Sequence, residues 1–375
     1  MPSRRQTRPE TNGARLRVVH TPYVGQNAYQ PRLLEELRHL GIDATGAKRT
    51  AHPLARQLVS WRCDVLHLHW MQLRWFGPRL LRPAAIRSYF AQLRALQRRG
   101  TRIIWTIHNL IPHECEEPDA ELALLVRLAE TVDACIVHSE SAREEVLAVI
   151  AAAHGGSSLV AKKLHVIPHG NYIGCYQPAR TREEERARLG IAEDETVFAF
   201  VGQIRAYKNA EGLALAFRAA GLPRARLLIR GRPRGDAVDR AVRDACGDDP
   251  RIDYRPEFLE DGELAAALLA SDVVALPYHD CLTSGAALLA MSYGKPLVAP
   301  NRGCFEELVG RDSPGLYDAN APDGLLRALQ ALAANPRALA IGGELNLRAA
   351  EGAGWPGIAA QTAHLYRSVR GGASR

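Results

Sequence analysis

Short apolar runs, each ending in a polar loop and followed by residues at helical spacing, recur along this chain in two series. That alternation constrains the fold more than any other feature. Strands that hand on to helices build parallel sheets covered on both faces, because parallel neighbours cannot be joined by a tight hairpin. The first series comprises Arg15–His20, Asp64–His69, Thr101–Ile107, Ala134–Val137 and Leu164–Ile167, with Leu33, Leu34, Leu37 and Leu40 forming a helical stripe after the first run. A charged segment at 176–190 separates it from a second series: Thr196–Val201, Arg226–Ile229, Ile252–Tyr254, Val273–Pro277 and Leu297–Ala299. The last periodic stretch, Trp355–Val369, carries Ile358, Thr362, Leu365 and Tyr366 on one face. At 375 residues the chain exceeds the ~250–300 at which single cores stop growing. The expected fold is therefore α/β with two Rossmann-like domains. The expected division is a frayed tail at 1–14, a first domain at 15–175, a second at 190–354 and a closing helix at 355–370.

Composition removes several function classes. The chain is 47% hydrophobic and 24% charged, as ordinary globular proteins are. It holds no apolar run of the ~18 residues that a membrane span needs, and its basic start is followed by no apolar region of the kind a secretory signal requires. Seven scattered cysteines with no CxxC spacing argue for a reducing cytoplasm and against disulfides or a zinc site. The net charge of +7 calls for an anionic partner. No nucleic-acid module is recognisable, which leaves phosphorylated small molecules and anionic membrane. The segment Arg74–Arg99 mixes arginines with Trp75, Phe76, Leu80, Leu81, Ile86, Tyr89, Phe90 and Leu93 and contains no acidic residue. It reads equally well as a membrane-surface element and as a surface helix with one buried face.

Neither series carries GxGxxG, which argues against a dinucleotide enzyme, and Walker A is absent, since Gly294-Lys295 runs into Pro296 rather than a serine or threonine. The second series offers other phosphate ligands. Thr283-Ser284-Gly285 opens a helix directly after a strand, where unpaired amides and the helix dipole favour an anion. Arg205 and Lys208 sit in another strand-to-helix loop. Two cations facing hydroxyls and amides suit a diphosphate leaving group, whose charge grows as its bond breaks. No DxD-like acidic cluster accompanies them, so no metal is expected. In the first series Trp70, His108, His138 and His169 follow strand ends, the edge at which such sheets bind ligands.

The segments NAYQPRLLEELRHLG, DVLHLHW, WTIHNLIPHE, VHSESARE, VIPHGNY, FVGQIRAYKN, LTSGAALLAMSYGKPLVAP and WPGIAAQTAHLY together resemble a GT-B glycosyltransferase of the family 4 type, glycosyl transferases group 1, as found in bacterial exopolysaccharide and glycolipid synthesis. The resemblance implies two facing domains, acceptor-side and donor-side, with the last helix crossing back onto the first. It implies a nucleotide-sugar substrate, UDP- or GDP-linked, no cofactor, a glycan or lipid-linked acceptor, and no nucleic acid. A cytoplasmic location follows, with the inner membrane face as a candidate surface reached through Arg74–Arg99. By motif position, Gly25, Arg205, Lys208, Thr283, Ser284 and Gly285 fall at the donor diphosphate. His108 falls at the donor sugar, and Glu257 and Phe258 beside the nucleoside. His169, Tyr278 and Asp280 are further candidates for the sugar or nucleoside. The two glutamates usual in retaining relatives are replaced by Cys281 and Leu289, which puts retention in doubt. An inverting enzyme needs a base in the first domain. Glu114, beside His113, is the first candidate, with His108, Glu116 and Glu117 behind it. A nucleotide-sugar 2-epimerase and a non-catalytic sugar-nucleotide binder are the alternatives.

Overall fold

A computed structural model describes residues 15–47, 63–112, 114–154 and 158–371. The expected tail at 1–14 and His113 lie outside these residues. Two parallel six-stranded sheets form. The first runs in the order β2-β1-β3-β4-β5-β6, from β1 (Arg17–Thr21), β2 (Asp43–Gly46), β3 (Val65–His69), β4 (Arg102–Thr106), β5 (Ala134–Val137) and β6 (Leu164–Val166). The second runs β12-β11-β10-β7-β8-β9, from β7 (Thr196–Val201), β8 (Ala225–Arg230), β9 (Ile252–Arg255), β10 (Val273–Ala275), β11 (Leu297–Pro300) and β12 (Leu316–Tyr317). Every residue of β3, β5, β10 and β11 is buried, because helices cover both faces, and this is why β5, β10 and β11 read as unbroken apolar runs, while β3 alternates apolar residues with the buried His67 and His69. The strands that the sequence did not announce, β2 and β12, lie at sheet edges. Asp-Ala-Thr-Gly buries only Ala44, so no hydrophobic pattern marks it.

Each sheet has one place where the winding reverses: between β1 and β3 in the first and between β7 and β10 in the second. Loops leaving the carboxyl ends of such a pair diverge to opposite faces and open a crevice. This geometry puts the β7 loop with Arg205 and Lys208 next to the β10 loop with Thr283.

The helix Trp355–Gly371 crosses back as the resemblance implied. Its buried face (Trp355, Ile358, Ala359, Tyr366) joins Leu33, Leu34 and Leu37 of the helix Tyr29–His39, with Val65 and Ile104, in one core. Trp355 donates its indole N–H to the Asn171 carbonyl at 2.7 Å. Gly170 leaves room for it: a Cβ there would lie 2.4 Å from the indole. Trp355→Ala is therefore expected to cost about 3–5 kcal/mol, read as a lowered urea or thermal midpoint.

In the basic segment, the helix Arg82–Arg98 turns Tyr89, Phe90, Leu93 and Leu96 into the first domain's core, and Leu73 and Phe76 are buried just before it. Its apolar face is used up in packing. Leu80 and Leu81 stay outside, 91% and 63% exposed.

Candidate functional site

Two loops of the second domain interlock above β7 and β8. Gly231, at φ +145°, packs so tightly on the Gly202 carbonyl that a Cβ would come within 1.8 Å of its oxygen. Ile204 then joins the loops by two backbone hydrogen bonds, donating its N–H to the Arg232 carbonyl at 3.0 Å and accepting the Arg234 N–H at 2.8 Å. Asn209, at φ +55°, accepts the Gly212 N–H and starts the helix Ala210–Ala219. Arg205 and Lys208 are thereby fixed on a short, rigid turn. From the β10 loop, Ser284 caps the helix Gly285–Ser292 by accepting the Ala287 N–H at 3.1 Å. The Thr283 hydroxyl beside it is buried without a partner. An unpaired buried hydroxyl costs about 1–3 kcal/mol, and here it lines a cleft in which a ligand oxygen would satisfy it.

That cleft, about 690 Å³, lies between the domains. The second domain contributes Arg205, Lys208, Thr283 and Gly285, and the first contributes Trp70, His108, Glu114 and His169. Gly25 is exposed on the rim between Val24 and Asn27, which line the space. Ser284 works as the helix cap. Tyr278 is buried behind the wall, with the Lys208 ammonium 5.2 Å above its ring, so it supports a cation. Asp280 is exposed and faces Glu145 across the domains, where burial and the Asp280 charge push the Glu145 carboxyl up. Glu257 and Phe258 are exposed on the loop after β9.

Burial, and next the Arg205 charge, lower the Lys208 ammonium to about 8. A diphosphate held beside Lys208 would favour the protonated form and raise its pKa. Below about pH 7.5 nucleotide affinity is thus expected to be flat, and above 8 to weaken by up to about tenfold per unit. Titration calorimetry with GDP and UDP from pH 7 to 9.5 measures this, and Lys208→Arg should flatten the curve.

The first-domain wall is built on histidines. Burial keeps all six neutral: His20 and His169 are lowered to about 3, His138 to about 4, and His67, His69 and His108 well below the usual imidazole range. They supply hydrogen bonds, not charge. His138 and His169 donate from Nδ1 to the Ile167 and Gly170 carbonyls at 2.9 and 2.7 Å, which leaves a lone pair on each Nε2. His138 Nε2 is buried without a partner. Trp70, held at φ +43°, stacks on His108 with ring centres 4.5 Å apart. Tyr29 sits among His108, His138 and His169 at 5.3, 5.5 and 4.7 Å. Among the described residues, one trio, His20, His67 and His69, brings ligand nitrogens within 4.8 Å of one another, below the cleft.

Glu114 reaches across the cleft. Its Oε2 lies 2.8 Å from Arg205 Nη1 and 3.6 Å from Arg234 Nε. Glu117 is engaged by Arg79 and Arg82. Glu121, at the cleft wall, accepts the Leu73 N–H, and burial raises its carboxyl. Sequence reading missed Arg234, Glu121 and Tyr29. Arg234 is one of several arginines in a turn, and Glu121 and Tyr29 look like ordinary helix residues; only the folded chain singles them out.

Further contacts hold the domains against each other. The Glu307 carboxylate accepts the Glu140 and Ser141 N–H groups, at 3.1 and 3.2 Å, at the start of the helix Glu140–His154. Leu282 inserts into the first domain's core.

Two facing Rossmann-type domains, a recrossing last helix and a cationic interdomain cleft define the GT-B architecture. Solved structures agree on the fold. Sucrose-phosphate synthase from Thermosynechococcus elongatus superposes with TM-score 0.72 at 19% identity, over 95% of this chain and 99% of that one. Anabaena Alr3699/HepE in complex with UDP-glucose gives 0.70 at 16%, over 94% and 100%. Residues 181–351 match the family glycosyl transferases group 1. GDP-mannose:glycolipid 4-beta-D-mannosyltransferase of Xanthomonas campestris pv. campestris is 29% identical over 278 residues, 73% of this chain and 72% of that protein. D-inositol 3-phosphate glycosyltransferase of Kineococcus radiotolerans is 28% identical over 275 residues, 68% and 61%. The chain is a GT-B glycosyltransferase related to glycosyl transferases group 1, an enzyme that transfers a sugar.

Proposed function

We propose that this enzyme moves a hexosyl group, mannosyl foremost, from a nucleoside diphosphate sugar to a glycolipid acceptor, with inversion and without a metal. The observation that carries the reading is that a carboxylate, Glu114, and the cations Arg205 and Lys208 face one another from opposite walls of a single cleft. Glu114 takes the proton of the acceptor hydroxyl as its oxygen attacks the anomeric carbon. The bond from that carbon to the diphosphate breaks on the far side, and the charge released onto phosphate is met by Arg205, Lys208, the Thr283 hydroxyl and the amides that open the helix Gly285–Ser292. The neutral imidazoles of His108 and His169 are placed to bond sugar hydroxyls. The 4-beta-D-mannosyltransferase relative supports GDP-mannose as donor and a β product. Formation of a β linkage from an α-linked sugar nucleotide is an inversion. It does not need the glutamates replaced by Cys281 and Leu289.

For the acceptor, the supporting feature is the exposed pair Leu80-Leu81. It follows Arg79, whose partner Glu117 lines the cleft. An apolar, basic tip at the acceptor rim suits docking on the cytoplasmic face of an anionic membrane. The test is transfer from GDP-mannose, UDP-glucose and UDP-galactose to a lipid-linked sugar in anionic and in neutral vesicles, with the product anomer read by NMR. A β-mannosyl product formed faster on anionic vesicles is expected. An α product sinks the inverting mechanism, and isomerisation of donor without acceptor would make this an epimerase.

A further inference from the structure

Six polar groups form one unbroken hydrogen-bonded chain beneath the cleft. Thr106 Oγ1 lies 2.7 Å from His67 Nε2, His67 Nδ1 lies 2.6 Å from the Tyr366 hydroxyl, and that hydroxyl lies 3.0 Å from His20 Nε2. His20 Nδ1 is 3.0 Å from His69 Nε2, and His69 Nδ1 is 3.1 Å from His108 Nε2. The members come from β1, β3, β4, the loop after β4 and the recrossing helix. Five of the six are fully buried, and His108 is the one that lines the cleft.

The chain is directional. A neutral imidazole that donates through one nitrogen must accept through the other, and each hydroxyl has one hydrogen to give. The buried Tyr366 hydroxyl meets His67 Nδ1 and His20 Nε2, so giving its hydrogen to one of them means accepting from the other, and with no buried hydrogen left unpaired the choice of donor at any one link fixes every other link. In one sense His108 gives its Nε2 hydrogen to His69 and keeps a lone pair on Nδ1. In the other it accepts at Nε2 and carries its hydrogen on Nδ1, the ring nitrogen that the chain leaves over. A core of apolar residues would avoid the penalty that attaches to each of these groups if its bond is lost, so the arrangement asks for a role.

We infer that this chain sets the tautomer of His108, and that Tyr366, on the recrossing helix and away from the cleft wall, is a positioning residue for sugar transfer. The inference rests on the reading of His108 as a group that meets the donor sugar. The same rings do not offer a ready metal site: all six nitrogens of His20, His67 and His69 already have partners within the chain, so an ion would have to displace them.

The test uses the full-length protein with 15N-labelled histidine. Long-range 1H–15N correlation near pH 7.5, without ligand, reads each ring's tautomer. In the parent protein His108 should show one tautomer. Tyr366→Phe keeps the ring and removes the link between His67 and His20, so His69 and His108 should drift toward mixtures. Loss of one positioning hydrogen bond should lower kcat about five- to tenfold while the donor KM stays within about twofold. Thr106→Val breaks the far end of the same chain with little change of shape, and keeps the question open to test should Tyr366→Phe fail to fold. His108 signals unchanged in both variants would overturn the inference, as would a stoichiometric metal ion on His20, His67 and His69. Altered tautomers with an unchanged kcat would leave the chain standing but remove His108 from the transfer reaction.

Discussion

Lys208→Ala is expected to lower sugar transfer by ~10²–10³-fold, the usual effect of removing one group aimed at charge that develops in the transition state. The variant should fold. Lys208 is held over the Tyr278 ring next to Arg205, and its depressed ammonium, near 8, shows that the folded protein disfavours the charge it carries. The sign follows from linkage. The unfolded chain keeps the lysine protonated up to its ordinary value, so between about 8 and 10.5 the unfolded state binds more protons and stability rises with pH. Below 8 the penalty is present in full. Replacing Lys208 removes that penalty, so at pH 7 the thermal midpoint should hold or rise while turnover collapses. A lower midpoint together with retained transfer would overturn the diphosphate assignment.

Glu114→Gln should show the opposite split between binding and chemistry. Loss of the base should cost ~10²–10⁴-fold in kcat. Nucleoside diphosphate binding, however, should tighten. In the ligand-free state the Glu114 carboxylate sits 2.8 Å from Arg205, so an incoming diphosphate has to displace it. The pair is partly exposed, 24% and 41%, and pairs of this kind contribute about 0.2–1 kcal/mol. The gain in affinity should accordingly be a few-fold at most, and larger at low salt. Calorimetry with GDP or UDP beside a transfer assay reads both halves. Full activity in Glu114→Gln would move the base elsewhere, to Glu116 first. Under the proposed mechanism the contact would also order the reaction, with Glu114 released from Arg205 when the diphosphate arrives.

The sequence carried the architecture because parallel sheets buried on both faces leave short unbroken apolar runs, as in β5 and β10. It carried the two loops that meet at the cleft, because glycine, hydroxyl and cationic residues at a strand end have few other reasons to occur together. It did not carry β2, whose Asp-Ala-Thr-Gly lies at an edge and buries one residue. Nor did it show that Tyr89, Phe90 and Leu93 in the basic segment belong to the core, since one helical stripe serves a membrane and a domain interior equally well. Within the site, Tyr278 is a sequence candidate for the donor sugar or nucleoside, and the fold buries it behind Lys208. The Glu114–Arg205 contact was invisible for a physical reason: it joins residues 91 positions apart on different domains. The histidines were legible one by one as strand-end residues. That His20, His67 and His69 bond in series depends on strand register, with His20 paired to His67 across β1 and β3, which a single sequence does not reveal.

The recrossing helix has a consequence for how the molecule comes into being. Trp355, Ile358 and Tyr366 complete a core whose other walls, Leu33, Leu37 and Val65, are synthesised some three hundred residues earlier. On the ribosome the first domain must wait, its apolar flank uncovered, until the second has emerged. The half of the cleft that carries the histidines is therefore the last to be finished, and neither half can set to work before the other exists.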